Sequence, residues 1–472
     1  MPRTERDSLG QQELPSDVYY GIQTQRAITN FPVSGLRADP LLVRAYLRVK
    51  RAAAIVNRNL TALDEKRANA IIQASDEALG GAMLDQFAVD VYQAGAGTSF
   101  NMNVNEVLAN RALELLGHPR GDYATLSPND HVNLGQSTND TFPTAAHLAA
   151  MDASGELIGT VEALAEAVEE RSNAFADIPK PGRTHLMDAV PITLGAEVGA
   201  WASSLRRSAG RLAQRRDDLR ELPIGGTAVG SGTNAAQGYR AAMIEQLSIA
   251  YGEPLRAASD SYEALQSRSQ LAALSGALRE LALELTRIAN DLRLLASGPA
   301  TGLAELRLPA VQPGSSIMPG KVNPVMVECL NMVAYQVIGN DTVVAMAAQA
   351  GQLELNVMTP VIIHNLLTSF RLLINYLPVF RERCIVGITA DELVCKRRLE
   401  RNPATATLLA PRIGYLQAAD VVKEAIDRGE SVLNVVLERK LLEEREAREL
   451  LDPMRIADSK YSREDPSNFP AD

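Results

Sequence analysis

The residues best equipped for chemistry lie in one stretch, Gly314-Ser315-Ser316-Ile317-Met318-Pro319-Gly320-Lys321-Val322-Asn323-Pro324. It places two hydroxyls, an ammonium and a carboxamide in a loop punctuated by glycine and proline, just ahead of a predicted helix. Serine and lysine do acid–base chemistry near neutral pH only in special surroundings, and a glycine-rich turn supplies backbone N–H donors for a developing anion. Three further segments share this character, at residues 95–106, 129–140 and 182–188. Each is a run of hydroxyl, amide or imidazole groups before a helix-compatible stretch. Helix capping accounts for any one Ser, Thr or Asn among them. Together the four segments also supply the neutral donors needed to hold a small dicarboxylate, with helix N-termini adding positive potential.

The elements that must position these groups read as helices. Leu271, Leu274, Leu278, Leu281, Leu285, Ile288, Leu292 and Leu295 alternate in steps of three and four. That is a heptad seam sustained over about seven helical turns, with Gly298-Pro299 as its stop. Leu157, Val161, Leu164 and Val168 repeat the pattern, as do Leu194, Val198, Trp201 and Leu205, continuing to Leu212 and Leu219. Pro143 and Pro191 stand where such helices can begin. The stripes outnumber the partners that one subunit offers, so an oligomer that pools its helices is expected over an isolated bundle. Residues 298–325 hold five prolines and four glycines between two helical patterns and read as a mobile active-site loop. Residues 1–136 mix short helices with turn-rich pieces. Beyond residue 386 the chain is charged and helix-prone, with a helical hairpin over 433–451, and then decays into a polar tail at 458–472.

Composition bounds the function classes. With 46% apolar residues and only 4% aromatics, cores built from aliphatic helices are expected rather than sheets. A net charge of -10 speaks against a nucleic-acid partner. An anionic substrate then needs local Lys, Arg or helix N-termini to override the global field. Cys329, Cys384 and Cys395 form no C-x-x-C pair and are odd in number, so they read as reduced, buried thiols of a cytoplasmic protein. The start, Met1-Pro2-Arg3-Thr4-Glu5-Arg6-Asp7, has no apolar core of a signal peptide, and no apolar run reaches the length of about 18 residues that suggests a membrane span. His118, His131, His147, His185 and His364 lie far apart without ligand spacing. No metal, nucleotide or other cofactor is expected.

In order and content the four polar segments resemble the aspartase/fumarase superfamily of lyases. Leu14-Pro15-Ser16-Asp17-Val18-Tyr19-Tyr20-Gly21-Ile22-Gln23-Thr24-Gln25-Arg26 resembles that family's N-terminal signature, so the resemblance covers nearly the whole chain. It implies a mainly α, three-domain subunit: a mixed, mostly helical part over 1–136, a long central five-helix bundle over 137–385 carrying the signature loop, and a small helical part over 386–472. It also implies a homotetramer with a twenty-helix core and sites that each draw on three subunits. By position, Ser315 would be the general base that removes a proton from the carbon beside a carboxylate. Lys321 and Asn323 would bind that carboxylate and its enediolate-like form. Thr98, Ser137, Thr138 and Ser316 would hold other substrate contacts, Thr184 would assist with the carboxylate, and His185 and Asn139 would face the leaving group. A carbon acid of this kind is very weak, so its anion needs preorganised donors. A serine acts as base only as an alkoxide, which backbone N–H groups in a closed, water-free loop can support.

Within the superfamily, Gly95-Ala96-Gly97-Thr98 and Ser137-Thr138-Asn139-Asp140 are similar to the aspartase form, where fumarases usually carry serine at positions 96 and 138. Residues 338–342, 346–353, 355–358 and 386–390 are also aspartase-like. Leu134-Gly135 and His364-Asn365 are closer to fumarases, Met187 replaces a glutamine common to both, and residues 401–414 fit neither. The expected reaction is reversible elimination of ammonia from L-aspartate to give fumarate. The alternatives are hydration of fumarate and elimination from a related aspartate derivative. Retention of Ser315, Lys321, Asn323, Thr184 and His185 speaks against a silent structural member of the family.

Overall fold

The longest heptad seam is buried along its whole length: every member from Leu271 to Leu295 is at most 5% exposed. This holds in a computed structural model that describes residues 2–457; the polar tail expected at 458–472 lies outside the described residues. The chain opens on an antiparallel hairpin, β1 (Arg3–Asp7) with β2 (Gly10–Leu14), and continues through α1 (Ile22–Asn30), α2 (Pro40–Asn59), α3 (Glu65–Leu79) and α4 (Thr98–Leu115). Next come α5 (Thr138–Ala174), a second hairpin of β3 (Pro179–Thr184) and β4 (Met187–Thr193), and α6 (Leu194–Asp218). A two-residue parallel pair, β5 (Glu221–Leu222) with β6 (Arg256–Ala257), brackets α7 (Tyr239–Tyr251). Then follow α8 (Glu263–Gln266), α9 (Ser269–Leu295), α10 (Val325–Gln349) and α11 (Thr359–Phe380). After α9, β7 (Leu306–Arg307) pairs with β8 (Thr389–Ala390). The chain closes with α12 (Glu392–Glu400), α13 (Ala410–Ile413), α14 (Tyr415–Arg428), α15 (Val432–Glu438), α16 (Glu444–Leu450) and α17 (Pro453–Ala457).

The fold is mainly α, and its frame is the five long helices α5, α6, α9, α10 and α11. Polar contacts tie them in sequence: Arg206 to Glu169 joins α6 to α5, and Arg211 to Glu280 at 2.6 Å joins α6 to α9. Ser275 donates to Asp341 at 2.7 Å between α9 and α10, and Asn340 donates to Ser369 at 3.0 Å between α10 and α11. Buried Leu157, Val161, Leu164 and Val168 line α5, and Leu194, Val198, Trp201, Leu205 and Leu212 line α6. By chain contacts the molecule divides into two compact units. One comprises residues up to Gly159 with Ser208–Leu283 and Val333–Ile374; the other comprises Thr160–Arg207, Glu284–Met332 and the described residues from Asn375 onward.

Local signals explain many boundaries. Asp39 caps α2 by accepting the Leu41 N–H at 2.9 Å, with Pro40 preset for the first turn. Asp64 and Ser431 cap α3 and α15 in the same way. Two proline readings are corrected. Pro143 lies inside α5, because Ser137 caps that helix six residues earlier; Pro191 lies in β4, and α6 starts at Leu194. The reading of 298–325 as one mobile loop also changes. Its first part is tied down, with the Glu305 N–H on the Leu295 carbonyl, the Asp391 N–H on the Glu305 carbonyl and the Glu305 side chain fully buried. Cys384 and Cys395 are buried free thiols, but Cys329 is partly exposed.

One helix departs from the pattern of apolar inside and polar outside. On α10 the exposed positions Met332, Tyr335, Gln336, Gly339, Thr342, Val343, Ala345, Met346 and Gln349 include no charged residue. Met332, Met346 and Tyr335 are 67%, 60% and 56% exposed, an apolar stripe at helical spacing.

Truncating one seam residue tests the buried frame. Leu281→Ala is expected to lower the free energy of unfolding by about 2–5 kcal/mol, the cost of a cavity in a close-packed core. Urea denaturation followed by circular dichroism reads this, and a loss within experimental error would mean the seam is not packed.

Candidate active site

In the first unit, the start of α5 is built by reciprocal capping. The Ser137 hydroxyl accepts the Asn139 N–H at 3.2 Å, while Asp140 Oδ1 accepts the Ser137 N–H at 3.0 Å. Asp140 does more than cap. It is fully buried, and its Oδ2 accepts the N–H groups of Gly225 at 3.0 Å and Thr227 at 2.9 Å. Asn139 then donates to the Ala228 carbonyl at 2.8 Å. A glycine-rich loop, Gly225-Gly226-Thr227-Ala228-Val229-Gly230-Ser231-Gly232-Thr233, is thereby fastened beside the Ser137 turn. Thr227 sits in the left-handed region at φ 54. Burial pushes the Asp140 carboxyl up to about 6 from 3.8, against the three N–H donors and the nearby Lys50 that favour its ionised form.

Thr98 opens α4 behind a sharp turn in which Ala96 and Gly97 both have positive φ. A Cβ at Gly97 would meet the Phe142 ring at 2.1 Å, so glycine is required for closeness as well as for φ. The Ala96 N–H donates to the Val357 carbonyl at 2.7 Å, and the Thr98 side chain is exposed. Of the four expected site residues in this unit, Ser137, Thr138 and Asn139 share one turn, whereas Thr98 stands at a different helix start.

In the second unit, Thr184 and His185 occupy the exposed tip of the β3–β4 hairpin. The two loop residues, His185 and Leu186, have φ 57 and 60, the primed turn that suits a tight hairpin but that normally takes asparagine or glycine. The base of the hairpin is rigid. Lys180, 1% exposed, pairs with Glu197 at 2.7 Å and with the buried Glu305 at 3.1 Å, and Arg183 holds Glu305 with two bonds, at 2.5 and 3.1 Å. The fixed stem therefore presents an exposed, strained tip.

The Ser315 loop closes on itself. The Gly314 N–H donates to the Lys321 carbonyl at 2.9 Å, and Asn323 Nδ2 donates to the Gly314 carbonyl at 2.6 Å. A Cβ at Gly314 would lie 2.4 Å from the Lys321 carbonyl oxygen, so only glycine permits that closure. Inside it, Ser315 Oγ accepts the backbone N–H groups of Met318 at 3.0 Å and Ile317 at 3.2 Å. Ser316 and Lys321 are exposed on the same loop. Ser315, Ser316, Lys321 and Asn323 are thus one structural piece. Among the described residues no hydrogen bond joins this loop to the hairpin tip.

Other histidines are occupied elsewhere. His131, in a π-helical turn over Pro128–Val132, accepts the Ser127 N–H at Nδ1, and burial lowers its pKa. His147 is buried against the Glu221 carbonyl. Among the described residues there is no group of three or more His, Cys, Asp or Glu suited to a metal ion, and no helix long and apolar enough to cross a membrane. Asp140 and the Gly225 loop are not among the site residues expected from sequence; four glycines in the eight positions 225–232 were the available signal.

Known proteins are similar to this chain in sequence and in fold. The Lyase family matches residues 10–339, and the family described as Fumarase C C-terminus matches residues 406–458. The aspartate ammonia-lyase of Bacillus subtilis is 46% identical over 451 residues, covering 96% of this chain and 95% of that protein. The class II fumarate hydratase of Thermosynechococcus vestitus is also 46% identical, over 437 residues, covering 92% of this chain and 94% of that protein. Among solved structures, the fumarate lyase:delta crystallin from Brucella melitensis bound to cobalt aligns with a TM-score of 0.95 at 48% identity, covering 97% of this chain and all of that one. The class II fumarase from Schistosoma mansoni aligns at 0.94 and 36% identity, covering 97% and 99%.

The environment of Asp140 has a pH signature. Its pKa in the fold is raised, so the acid form favours folding below pH 3.8, and that advantage is lost as pH rises to about 6. Measured by urea denaturation against Asp140→Asn, the stability of the parent chain relative to the variant is expected to fall across this window and then level off. If the relative stability rises instead, the N–H donors outweigh burial and the carboxylate is ionised throughout.

Proposed function

This chain belongs to the lyase family that includes aspartate ammonia-lyases and class II fumarases, and we propose that within it the reaction is reversible elimination of ammonia from L-aspartate to give fumarate. The observation that carries this reading is the Ser315 hydroxyl under two backbone N–H donors in a loop closed on Lys321 and Asn323. Such donors stabilise an alkoxide far better than the neutral hydroxyl. The alkoxide takes a proton from the aspartate carbon beside the side-chain carboxylate, and the electron pair moves into that carboxylate as an enediolate-like dianion. Lys321 and Asn323 bind the charge as it develops. The pair then returns to form the carbon–carbon double bond as the C–N bond breaks, and the nitrogen leaves with the bonding electrons as ammonia. Ser315 loses its captured proton to solvent and is reset.

Thr98, Ser137, Thr138 and Ser316 hold the substrate in this reading, Thr184 assists with a carboxylate, and His185 with Asn139 faces the departing nitrogen. Overall identity does not separate aspartase from fumarase, since relatives of both kinds stand at 46%. Ala96 and Thr138, the aspartase-like choices, favour the amine substrate. Hydration of fumarate is the second reading, supported by Leu134-Gly135 and His364-Asn365.

The site is proposed to be composite and the molecule a homotetramer. The uncharged outer face of α10 supports this, because an apolar stripe of that length needs a protein partner.

Supplying aspartate and malate separately and following fumarate absorbance tests the reaction. Fumarate from malate alone would overturn the aspartase reading. Ser315→Ala is expected to lower kcat by about 10²–10⁴-fold, the range typical of general bases, and near-normal turnover would remove Ser315 from its role. Met346→Glu is expected to dissociate the assembly in light scattering and to abolish turnover while leaving helical content intact. A parent chain that sediments as a monomer would sink the composite site.

A further inference from the structure

One face of α2 is polar although it is buried. In a helix rich in alanine, Tyr46, Lys50 and Asn57 are each at most 2% exposed, and steps of four and seven keep them on one stripe. Lys50 and Asn57 reach the segment that leads into α5, and Tyr46 reaches the first turn of α5 itself. Lys50 Nζ donates to Asn133 Oδ1 and to Gln136 Oε1, both at 2.9 Å. Asn57 Nδ2 donates to the Leu134 carbonyl at 2.9 Å. The Tyr46 hydroxyl lies 3.0 Å from Thr141 Oγ1, whose own hydroxyl donates to the Ser137 carbonyl at 2.8 Å.

The turn they hold has its amide side chains folded back on itself. Asn133 Nδ2 donates to the Gln136 carbonyl at 3.2 Å, and Gln136 Nε2 donates to the Val132 and Leu134 carbonyls at 3.0 and 3.3 Å, so both side chains turn their oxygens toward α2. Asn101 and Asn105 of α4 add donors to Asn133 Oδ1 at 3.3 and 3.2 Å. Among the described residues, Lys50 alone engages both amide oxygens at once. Asp140 is the carboxylate that acts on it electrostatically, but that group's oxygens are committed to the N–H groups of Ser137, Gly225 and Thr227. A buried ammonium held mainly by neutral amides is costly, so packing alone does not explain a lysine here.

We propose that Lys50 is a positioning residue for substrate binding: its side chain pins Asn133 and Gln136 and so sets the placement of Ser137, Thr138 and Asn139. The inference rests on reading those three residues as substrate contacts. Lysine then trades stability for geometry, which separates it from a structural role. An apolar side chain of similar length removes the buried charge but leaves the Gln136 amide oxygen without its donor, so the two effects offset in stability while the turn is released.

Lys50→Met, Gln136→Met and the double variant test this in the full-length protein. Lys50→Met is expected to keep its thermal midpoint and oligomeric state while kcat/KM for aspartate falls by about 10²-fold, the scale of an ångström-sized misplacement. Gln136→Met should give a smaller loss, and the double variant should be no worse than Lys50→Met alone. Unchanged kinetics in folded Lys50→Met, or losses that multiply in the double variant, would overturn the proposal. If Lys50→Met fails to fold, Lys50→Gln, which keeps one amide donor, together with Gln136→Met carries the same comparison. If the parent chain turns over neither aspartate nor malate, the reading of the reaction fails on its own. Calorimetry with fumarate then still decides Lys50, and an unchanged Kd in its variant overturns the positioning role.

Discussion

A buried carboxylate organises the start of α5 in the first unit. Asp140 gathers three backbone N–H groups, one from its own helix start and two from a loop more than eighty residues further along the chain. Remove that acceptor and the Ser137 turn and the Gly225 loop lose the group that both donate to. The arrangement is stable because each N–H meets an oxygen in a place water does not reach, where unpaired donors are expensive. Burial of the charge is the cost, visible in the upward displacement of its pKa.

The second unit solves the same problem with paired charges. Glu305 sits fully buried between Lys180 and Arg183, and Glu197 completes the group. These contacts lock the stem of the hairpin and the first part of the segment that follows α9. The Ser315 loop, by contrast, is held chiefly by its own backbone and by Asn323. Firm stem and self-contained, exposed loop are thus held by different means within one unit.

Much of this was legible in the sequence for definite reasons. The heptad seams were readable because period alone betrays a buried stripe, and Leu271 to Leu295 are buried without exception. The Ser315 loop was readable because its glycines and prolines leave few ways to fold. The partnership of Asp140 with Gly225 and Thr227 was not, since pairing between distant segments leaves no local trace. The same holds for Glu305, whose burial inside a proline-rich stretch depends on Lys180 and Arg183 far upstream. Pro143 misled because proline marks helix starts only statistically, and the cap at Ser137 decided the matter first. The His185-Leu186 turn carries none of the residues that usually announce a tight hairpin.

That turn has an engineering consequence. Two side chains are held where the backbone disfavours any Cβ, at about 1–2 kcal/mol each. A search for hardier variants by residue statistics would place glycine or asparagine at 185 and 186, and relief of that strain raises the temperature at which the chain unfolds. It would also forfeit the imidazole at the hairpin tip, so under the proposed role of His185 durability and turnover are set against each other at that position, whereas Leu186 is free to change.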